Sequence, residues 1–177
     1  MLKPAIAYKE QIEKAFRNIQ YSDKMIWYDG CIDIYDHEIK TEGDKYAFAI
    51  VYGEQIIGYV SFRVDWYCSM VYNFGLIKFL DTYFDTDEQM IKNSTPLMLT
   101  AIRDIIRMVE SFNPHRIDFR CVGGNPAEDG YNGIVRLLRN SGKYNVRVVD
   151  FIDNIRDRKG EYRNTIMYEL IRQENRG

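Results

Sequence analysis

Apolar residues recur at every third or fourth position after Pro4, and this period predicts a helix over residues 4–19. Lysine, glutamate and glutamine fill the positions between, so one face of the helix is apolar and the other is polar. Residues 20–44 have no clear period, and both a second short helix and an irregular flap are open for them. The apolar stripe of the first helix consists of Ala5, Tyr8, Ile12, Ala15 and Ile19.

β-Branched and aromatic residues become frequent after position 45, and they predict strands rather than helices. Two such runs, 46–52 and 55–64, are separated by Gly53-Glu54, a two-residue turn that typically joins antiparallel strands. These residues therefore predict a β-hairpin.

A third strand is predicted over residues 68–79, where Asn73 and Gly75 interrupt the apolar run. A glycine inside a strand often marks a bulge or a place where a ligand approaches the backbone. Asn73 is thus either the mark of a bulge or an outward-facing residue of no special role, and the sequence leaves both open.

Helices and strands alternate in the rest of the chain. Thr95 is predicted to cap a helix that has Pro96 in its first turn and ends at Asn113-Pro114. Because this helix joins the third strand to the fourth, it predicts a parallel pair inside an otherwise antiparallel sheet. Such a sheet diverges at that pair, and ligands favour the crevice at the carboxyl ends of the strands. The later predicted elements are a strand over 116–122, a helix over 131–140, and strands over 145–152 and 163–171.

The composition is that of one folded domain over residues 1–177. Hydrophobic residues make up 46% and charged residues 28%, which excludes collagen-like, coiled-coil and disordered chains. The net charge of −2 supplies no positive field to gather polyanions, so nucleic acid is not expected as a partner. Three widely spaced cysteines and two histidines form no ligand set, so we expect no metal and a reducing, cytoplasmic setting.

Two further classes of protein are not expected. No apolar run approaches the roughly 20 residues that a membrane-spanning helix needs, so no membrane partner is predicted. The first residues, MLKPAIAYKE, lack the unbroken apolar core of a signal peptide.

Several local sequences, in their order along residues 45–171, resemble the GNAT (GCN5-related N-acetyltransferase) superfamily. The hairpin VYGEQIIGYVSF at 51–62 is similar to the second and third strands of that family. The C-terminal third resembles the branch that modifies ribosomal-protein N-termini: His115-Arg116-Ile117 is similar to the start of strand five, VRLLRNSG at 135–142 to helix four, and RKGEYRNTIMYEL at 158–170 to the final hairpin.

The resemblance implies an α+β, GNAT-like fold with a mixed, mostly antiparallel sheet flanked by helices. It further implies that acetyl-CoA lies in the splay between the two diverging strands, and that an amine of a protein N-terminus or a small molecule attacks the thioester carbonyl. No metal takes part, and a monomer or homodimer is expected.

The pyrophosphate-binding segment departs from the family pattern, because residues 85–96 contain no glycine and several acids. Glycine matters there because it lets the backbone approach a diphosphate. Lys92, Asn93, Ser94 and Thr95 are the candidates that remain to bind CoA, through a cation, side-chain donors and helix N–H groups. Alternatively, Thr95 only caps the helix.

The helix predicted over 131–140, which resembles helix four of the family, lacks both residues that the family commonly uses to protonate the leaving thiolate, since Leu138 and Ile134 occupy those positions. Tyr131 is the candidate substitute; its alternative role is half-buried packing with the hydroxyl in water. Asn125 resembles the asparagine that contacts CoA in relatives, although it also fits a plain turn beside Gly124 and Pro126.

Asn73 is the remaining catalytic candidate, because the resemblance implies that an N–H group freed by a bulge in the central strand receives the thioester oxygen. No residue stands out as a general base.

Two other interpretations stay open beside the acetyltransferase. The first is a catalytically reduced GNAT-fold protein that binds a partner or ligand, which predicts an exposed aromatic patch. The second is an α+β domain of unrelated function. The residues predicted for the patch are Trp27, Tyr28, Tyr35, Trp66 and Tyr67.

Overall fold

The computed structural model of the chain describes residues 1–20, 44–79, 88–125, 127–157 and 159–173, and of residues 17–20, 88–96 and 127 it describes the backbone alone. Of the second helix or flap predicted for 20–44, residues 21–43 lie outside the described residues, and Trp27, Tyr28 and Tyr35 are among them.

Strands and helices alternate along the described chain in the order that the hydrophobic pattern predicts. In sequence they are β1 (Leu2–Pro4), a 3₁₀ turn (Ala5–Tyr8), α1 (Lys9–Gln20), β2 (Lys45–Tyr52), β3 (Gln55–Asp65), β4 (Met70–Lys78), α2 (Glu88–Ser111), β5 (Arg116–Val122), α3 (Ala127–Asn140), β6 (Tyr144–Arg156) and β7 (Tyr162–Arg172).

The strands of the described chain form one seven-stranded sheet in the order β1-β2-β3-β4-β5-β7-β6. Neighbouring strands are antiparallel except for β4 and β5, which run parallel. The α2 crossover between β4 and β5 produces this parallel pair, as the sequence predicts. The predicted fold class, a mixed and mostly antiparallel α+β sheet, is confirmed.

Both faces of the sheet bury apolar side chains. On one face α2 and α3 pack through Ile102 and Ile134 against strand residues such as Phe119. On the other face α1 packs over β2 and β3, where Phe16 meets the ring of Tyr59 edge-on with centroids 5.3 Å apart. Helices therefore cover both faces of the sheet, with α2 and α3 over the parallel pair and α1 over β2 and β3.

Three predicted helix starts are wrong. The chain begins with a short strand and a 3₁₀ turn, so α1 starts at Lys9 instead of residue 4. α2 starts at Glu88, and Thr95-Pro96 lies inside it: most of the preceding residues are good helix formers, although an interior proline removes one backbone hydrogen bond and crowds the turn before it. α3 starts at Ala127, four residues before the predicted start.

Candidate functional site

The parallel strands β4 and β5 are paired at one end and diverge at the other. Met70 pairs with Arg116, and the last pair along the two strands joins Phe74 to Phe119. Beyond these residues β4 pairs with β3 alone, and β5 with β7 alone. We call the opening between β4 after Phe74 and β5 after Phe119 the β4–β5 cleft; it lies at the carboxyl ends of both strands, where the sequence predicts a ligand site.

A bulge precedes the cleft on β4. Asn73 has a φ of +51°, and the register against β5 shifts between Val71 and Phe74. Asparagine tolerates this left-handed conformation better than most residues, because its short polar side chain bonds locally. The predicted bulge is therefore present, and the side chain of Asn73 is exposed; a catalytic role for this residue stays a prediction.

Tyr131 reaches from α3 into the cleft. Its hydroxyl accepts a hydrogen bond from the Leu76 N–H at 3.1 Å and donates one to the Phe74 carbonyl at 3.3 Å. The residue is only 4% exposed, so the expectation of a half-buried tyrosine with its hydroxyl in water is wrong. Burial raises the pKa of Tyr131, although the bond from the Leu76 N–H opposes that rise, and the phenol keeps its proton at neutral pH.

Aromatic rings surround Tyr131. Its ring centroid lies 5.0 Å from that of Phe119, 6.1 Å from that of Phe74 and 6.2 Å from that of Tyr168. Gly130 makes the approach of α3 to β4 feasible, since a Cβ there would lie 3.2 Å from Leu76 Cδ2. The pairing of residue 131 with β4 has no counterpart in the sequence pattern.

The N-terminus of α3 lies beside the end of β5. The Gly124 N–H donates to the Glu128 carboxylate at 2.9 Å, and the Glu128 N–H donates to the Asn125 carbonyl at 2.8 Å. Asn125 thus occupies the turn that leads into the helix, which fits the alternative interpretation of this residue as a plain turn asparagine. The carboxylate of Glu128 takes a backbone donor that an anionic ligand would otherwise use at this helix end.

The four phosphate-binding candidates Lys92, Asn93, Ser94 and Thr95 all lie inside α2. The unpaired N–H groups of a helix belong to its first turn, and that turn begins at Glu88, about two turns before Thr95. The prediction of Thr95 as the helix cap is therefore wrong, and the helix N–H groups at 93–95 are not the free ones. Only side-chain contacts of these residues remain as a basis for phosphate binding.

The exposed aromatic residues Trp66 and Tyr67 lie in the turn between β3 and β4, at the opposite end of β4 from the cleft. Tyr67 is 98% exposed, whereas Trp66 also meets Phe112 edge-on with centroids 5.7 Å apart. Two of the five residues predicted for an aromatic patch are thus exposed on the surface.

Two further properties concern the described residues alone. No group of three or more histidine, cysteine, aspartate or glutamate side chains there is arranged to hold a metal ion. None of the helices in that part of the chain is both long and apolar enough to cross a membrane.

No protein-family model matches the chain, and no curated protein matches it either. Solved structures do. Mutant forms of the spermidine/spermine N-acetyltransferase SpeG from Vibrio cholerae superpose with a TM-score of 0.57 at 11% identity, over 97% of this chain and 91% of theirs. Another variant of SpeG gives a TM-score of 0.55 at 12% identity, over 97% of this chain and 93% of its own.

A chimera of SpeG from Vibrio cholerae and hSSAT has a TM-score of 0.50 at 12% identity, over 90% of this chain and 89% of its own. At such low identity the likeness concerns the fold: this chain has the fold of the GNAT acyl-CoA N-acyltransferases. The closer resemblance to the ribosomal-protein branch stays a prediction.

Proposed function

We propose that this protein is an acetyl-CoA-dependent N-acetyltransferase that transfers the acetyl group directly to an amine in a ternary complex. The observation that carries the proposal is the β4–β5 cleft, which combines a strand bulge, a strand edge without a partner strand and a helix N-terminus at the carboxyl ends of parallel strands. The amine belongs to a protein N-terminus or a small molecule. The names of the matched SpeG structures support an amine acceptor in general.

In the proposed reaction a neutral amine nitrogen attacks the acetyl carbonyl carbon, a C–N bond forms, and the C–S bond breaks to release CoA as its thiolate. The nitrogen gives up one proton to solvent, and the Tyr131 phenolate is reprotonated from solvent after the transfer. The backbone N–H at the bulge of Asn73 would stabilise the oxyanion. Tyr131 is the proposed donor of a proton to the leaving thiolate, although burial raises the pKa of its phenol and makes it a weaker acid in the free protein. Side chains of Lys92, Asn93, Ser94, Thr95 and Asn125 are proposed to contact CoA.

Binding and turnover test the proposal separately. Calorimetry should detect binding of acetyl-CoA and CoA, and a thiol-release assay should detect CoA when spermidine, lysine or short peptides with a free N-terminus are added. A Tyr131→Phe variant should lower kcat about a hundredfold, the usual contribution of a general acid. The proposal fails if no CoA compound binds at high protein concentration.

A second candidate is a catalytically reduced protein of this fold that binds a ligand or partner without turnover. It is favoured by one specific observation: the Tyr131 hydroxyl and the Glu128 carboxylate already occupy backbone groups that a bound ligand would use. This candidate predicts that every amine stays unmodified even when CoA binds, and that Tyr131→Phe changes binding alone.

We also propose that the chain is a single domain, that it works in the cytoplasm, and that it is a monomer or homodimer. The widely spaced cysteines support the reducing compartment. Size-exclusion chromatography with light scattering measures the oligomeric state.

A further inference from the structure

The free edge of β4 in the cleft is occupied by a side chain. Phe74 and Leu76 are two residues apart, so their polar backbone groups point to the same edge of the strand. That edge faces β5, because Phe74 pairs with Phe119. Tyr131 hydrogen-bonds both Phe74 and Leu76, and its hydroxyl thus takes the place that β5 leaves empty.

A phenol matches the chemistry of a missing strand partner. It donates through its O–H and accepts through its oxygen, as a secondary amide donates through N–H and accepts through C=O. The hydroxyl of Tyr131 uses both functions, one on the Phe74 carbonyl and one on the Leu76 N–H. A linear ligand that carries secondary amides, as the arm of CoA does, would bind the same two groups.

We propose that Tyr131 is a displaceable clasp on β4: its hydroxyl holds the cleft edge of the strand in the free protein, and a ligand amide must displace it to bind. The identity of that ligand rests on the proposed function; the clasp itself rests on the two hydrogen bonds. Displacement also frees the hydroxyl, so the phenol becomes available at the moment when the ligand arrives.

The clasp predicts that removing the hydroxyl improves ligand binding. In Tyr131→Phe the Leu76 N–H and the Phe74 carbonyl have no partner until a ligand amide arrives, so binding no longer competes with an internal hydrogen bond. A net hydrogen bond is worth about 1 kcal/mol, which corresponds to about a fivefold to tenfold gain in affinity. A loss of turnover in the same variant would not conflict with this gain, because binding and proton donation are separate.

Tyr168 provides the matched control. Its ring belongs to the same aromatic cluster and stacks on Phe119 at 4.9 Å, but its hydroxyl donates to Asn132 Oδ1 at 3.0 Å and leaves β4 alone. Tyr168→Phe removes the same atom from the same cluster, so its CoA affinity should equal that of the wild type.

The experiment titrates CoA into the wild type and both variants by calorimetry, and measures hydrogen exchange at the Leu76 amide by NMR without ligand. Tighter CoA binding by Tyr131→Phe alone, with Leu76 exchange about tenfold faster in that variant alone, supports the proposal. Unchanged or weaker CoA binding by Tyr131→Phe overturns the displacement step. Unchanged Leu76 exchange overturns the clasp.

The two proposals fail in different ways. If neither the wild type nor Tyr131→Phe binds CoA, the proposed function and the displacement by CoA are both wrong, while Leu76 exchange still decides whether the clasp exists. If Tyr131→Phe does not fold, tyrosine-labelled wild type replaces it: CoA should shift the Tyr131 ring resonance and leave that of Tyr144, which lies at the other end of β5, unchanged. A Tyr131 resonance that stays constant at saturating CoA overturns the displacement.

Discussion

The two ends of the β4–β5 pair are held by different kinds of group. At the amino end, backbone hydrogen bonds from the β3–β4 turn join β4 to β5. The carbonyl of Ser69 accepts the N–H groups of His115 at 2.7 Å and of Arg116 at 3.2 Å. At the carboxyl end, in the cleft, a single phenol from α3 replaces the strand contact. The backbone contacts cannot be replaced without unpairing the strands, whereas a side chain can move aside.

Side chains also hold the rest of the cleft end. β6 runs parallel to β5, because both are antiparallel to β7, so the far part of the β6–β7 hairpin lies at this same end. There the bulge of β6 is tied by Asn164 to Asp150 and to the Asp153 N–H, and by Asn154 to Thr165. Between β4 and β5 themselves, backbone hydrogen bonds hold the amino end, whereas the Tyr131 side chain bridges the end where we place the ligand.

The largest expected effect on stability concerns the pairing of β4 with β3, the strand that stays paired with β4 beside the cleft. A Cβ on Gly58 of β3 would lie 2.6 Å from the Ile77 carbonyl oxygen, a backbone atom of β4. Gly58→Ala should therefore push the two strands apart and lower the free energy of unfolding by about 3 kcal/mol, measured by urea denaturation.

Gly75→Ala in the same strand pair is the control for this substitution. Its Cβ would lie 3.6 Å from Ser61 Oγ, which is ordinary contact, so the change should stay within about 1 kcal/mol of the wild type. Equal urea midpoints for the two variants would show that the cleft end of β4 does not depend on close packing against β3.

At the amino end of β5, ion pairs of Arg116 join β5 to β7. Its Nε donates to the Asp118 carboxylate at 2.8 Å, and its Nη2 donates to Glu169 at 2.8 Å. Both carboxylates are largely buried. Arg116→Ala leaves them with fewer partners, so we expect a loss of about 2 kcal/mol in the free energy of unfolding, while Leu76 exchange stays unchanged.

The control is Arg107→Ala, which removes a 78% exposed guanidinium that pairs with Asp104 one turn away on α2. Such a surface pair is worth about 0.5 kcal/mol or less. If Arg116→Ala costs no more than this control, the ion pairs of Arg116 do not stabilise the junction of β5 and β7.

A smaller effect is expected at the bulge. Asn73→Ala places a residue without local hydrogen-bonding capacity at φ +51° and should cost about 1 kcal/mol, whereas Asn73→Gly should be close to neutral. If the bulge acts through its backbone N–H, both variants keep acetyl transfer within about threefold of the wild type, a difference of under 1 kcal/mol in transition-state energy. A large loss of kcat in the stable glycine variant would instead assign the catalytic role to the amide side chain.

The hydrophobic pattern predicted much of the sheet. The strands around Gly53-Glu54 and the strand Arg116–Val122 lie within a residue or so of their predicted bounds, since turn residues and β-branched runs are local features. The parallel crossover followed from the position of a helix between two strands. The bulge at Asn73 was also visible, because a polar residue and a glycine interrupt an apolar run.

The helix starts and the Tyr131 contact could not be predicted in the same way. Thr95-Pro96 has the local pattern of a helix start, but the helix continues upstream to Glu88, and one proline does not end it. Tyr131 bonds a backbone group 55 positions away in sequence, so only the packing of α3 on the sheet brings the two together. Local patterns thus predicted most of the fold, but they did not predict that Tyr131 bonds β4 in the cleft.

The last prediction concerns pH at the tip of the β6–β7 hairpin. Asp157 is only 4% exposed, and burial by itself would raise the pKa of its carboxyl. The bond from Arg163 and those from the N–H groups of Glu161 and Lys159 outweigh burial and lower that pKa below its ordinary value of 3.8. A lowered pKa in the folded chain means that the carboxylate stabilises the tip above pH 3.8, and that this contribution is lost as the pH falls through the lower, folded value.

Carbon-13 NMR of the Asp157 carboxyl should therefore give a midpoint below 3.8. Asp157→Asn should weaken the protection of the Glu161 amide against hydrogen exchange at neutral pH. In that variant the protection should no longer depend on acid titration of residue 157. Asp153→Asn, at an exposed position of the same hairpin, should change neither property. An Asp157 midpoint at or above the ordinary value would mean that the carboxylate does not hold the tip, and the difference between the two ends of the sheet would then rest on Tyr131 and the asparagine contacts of β6.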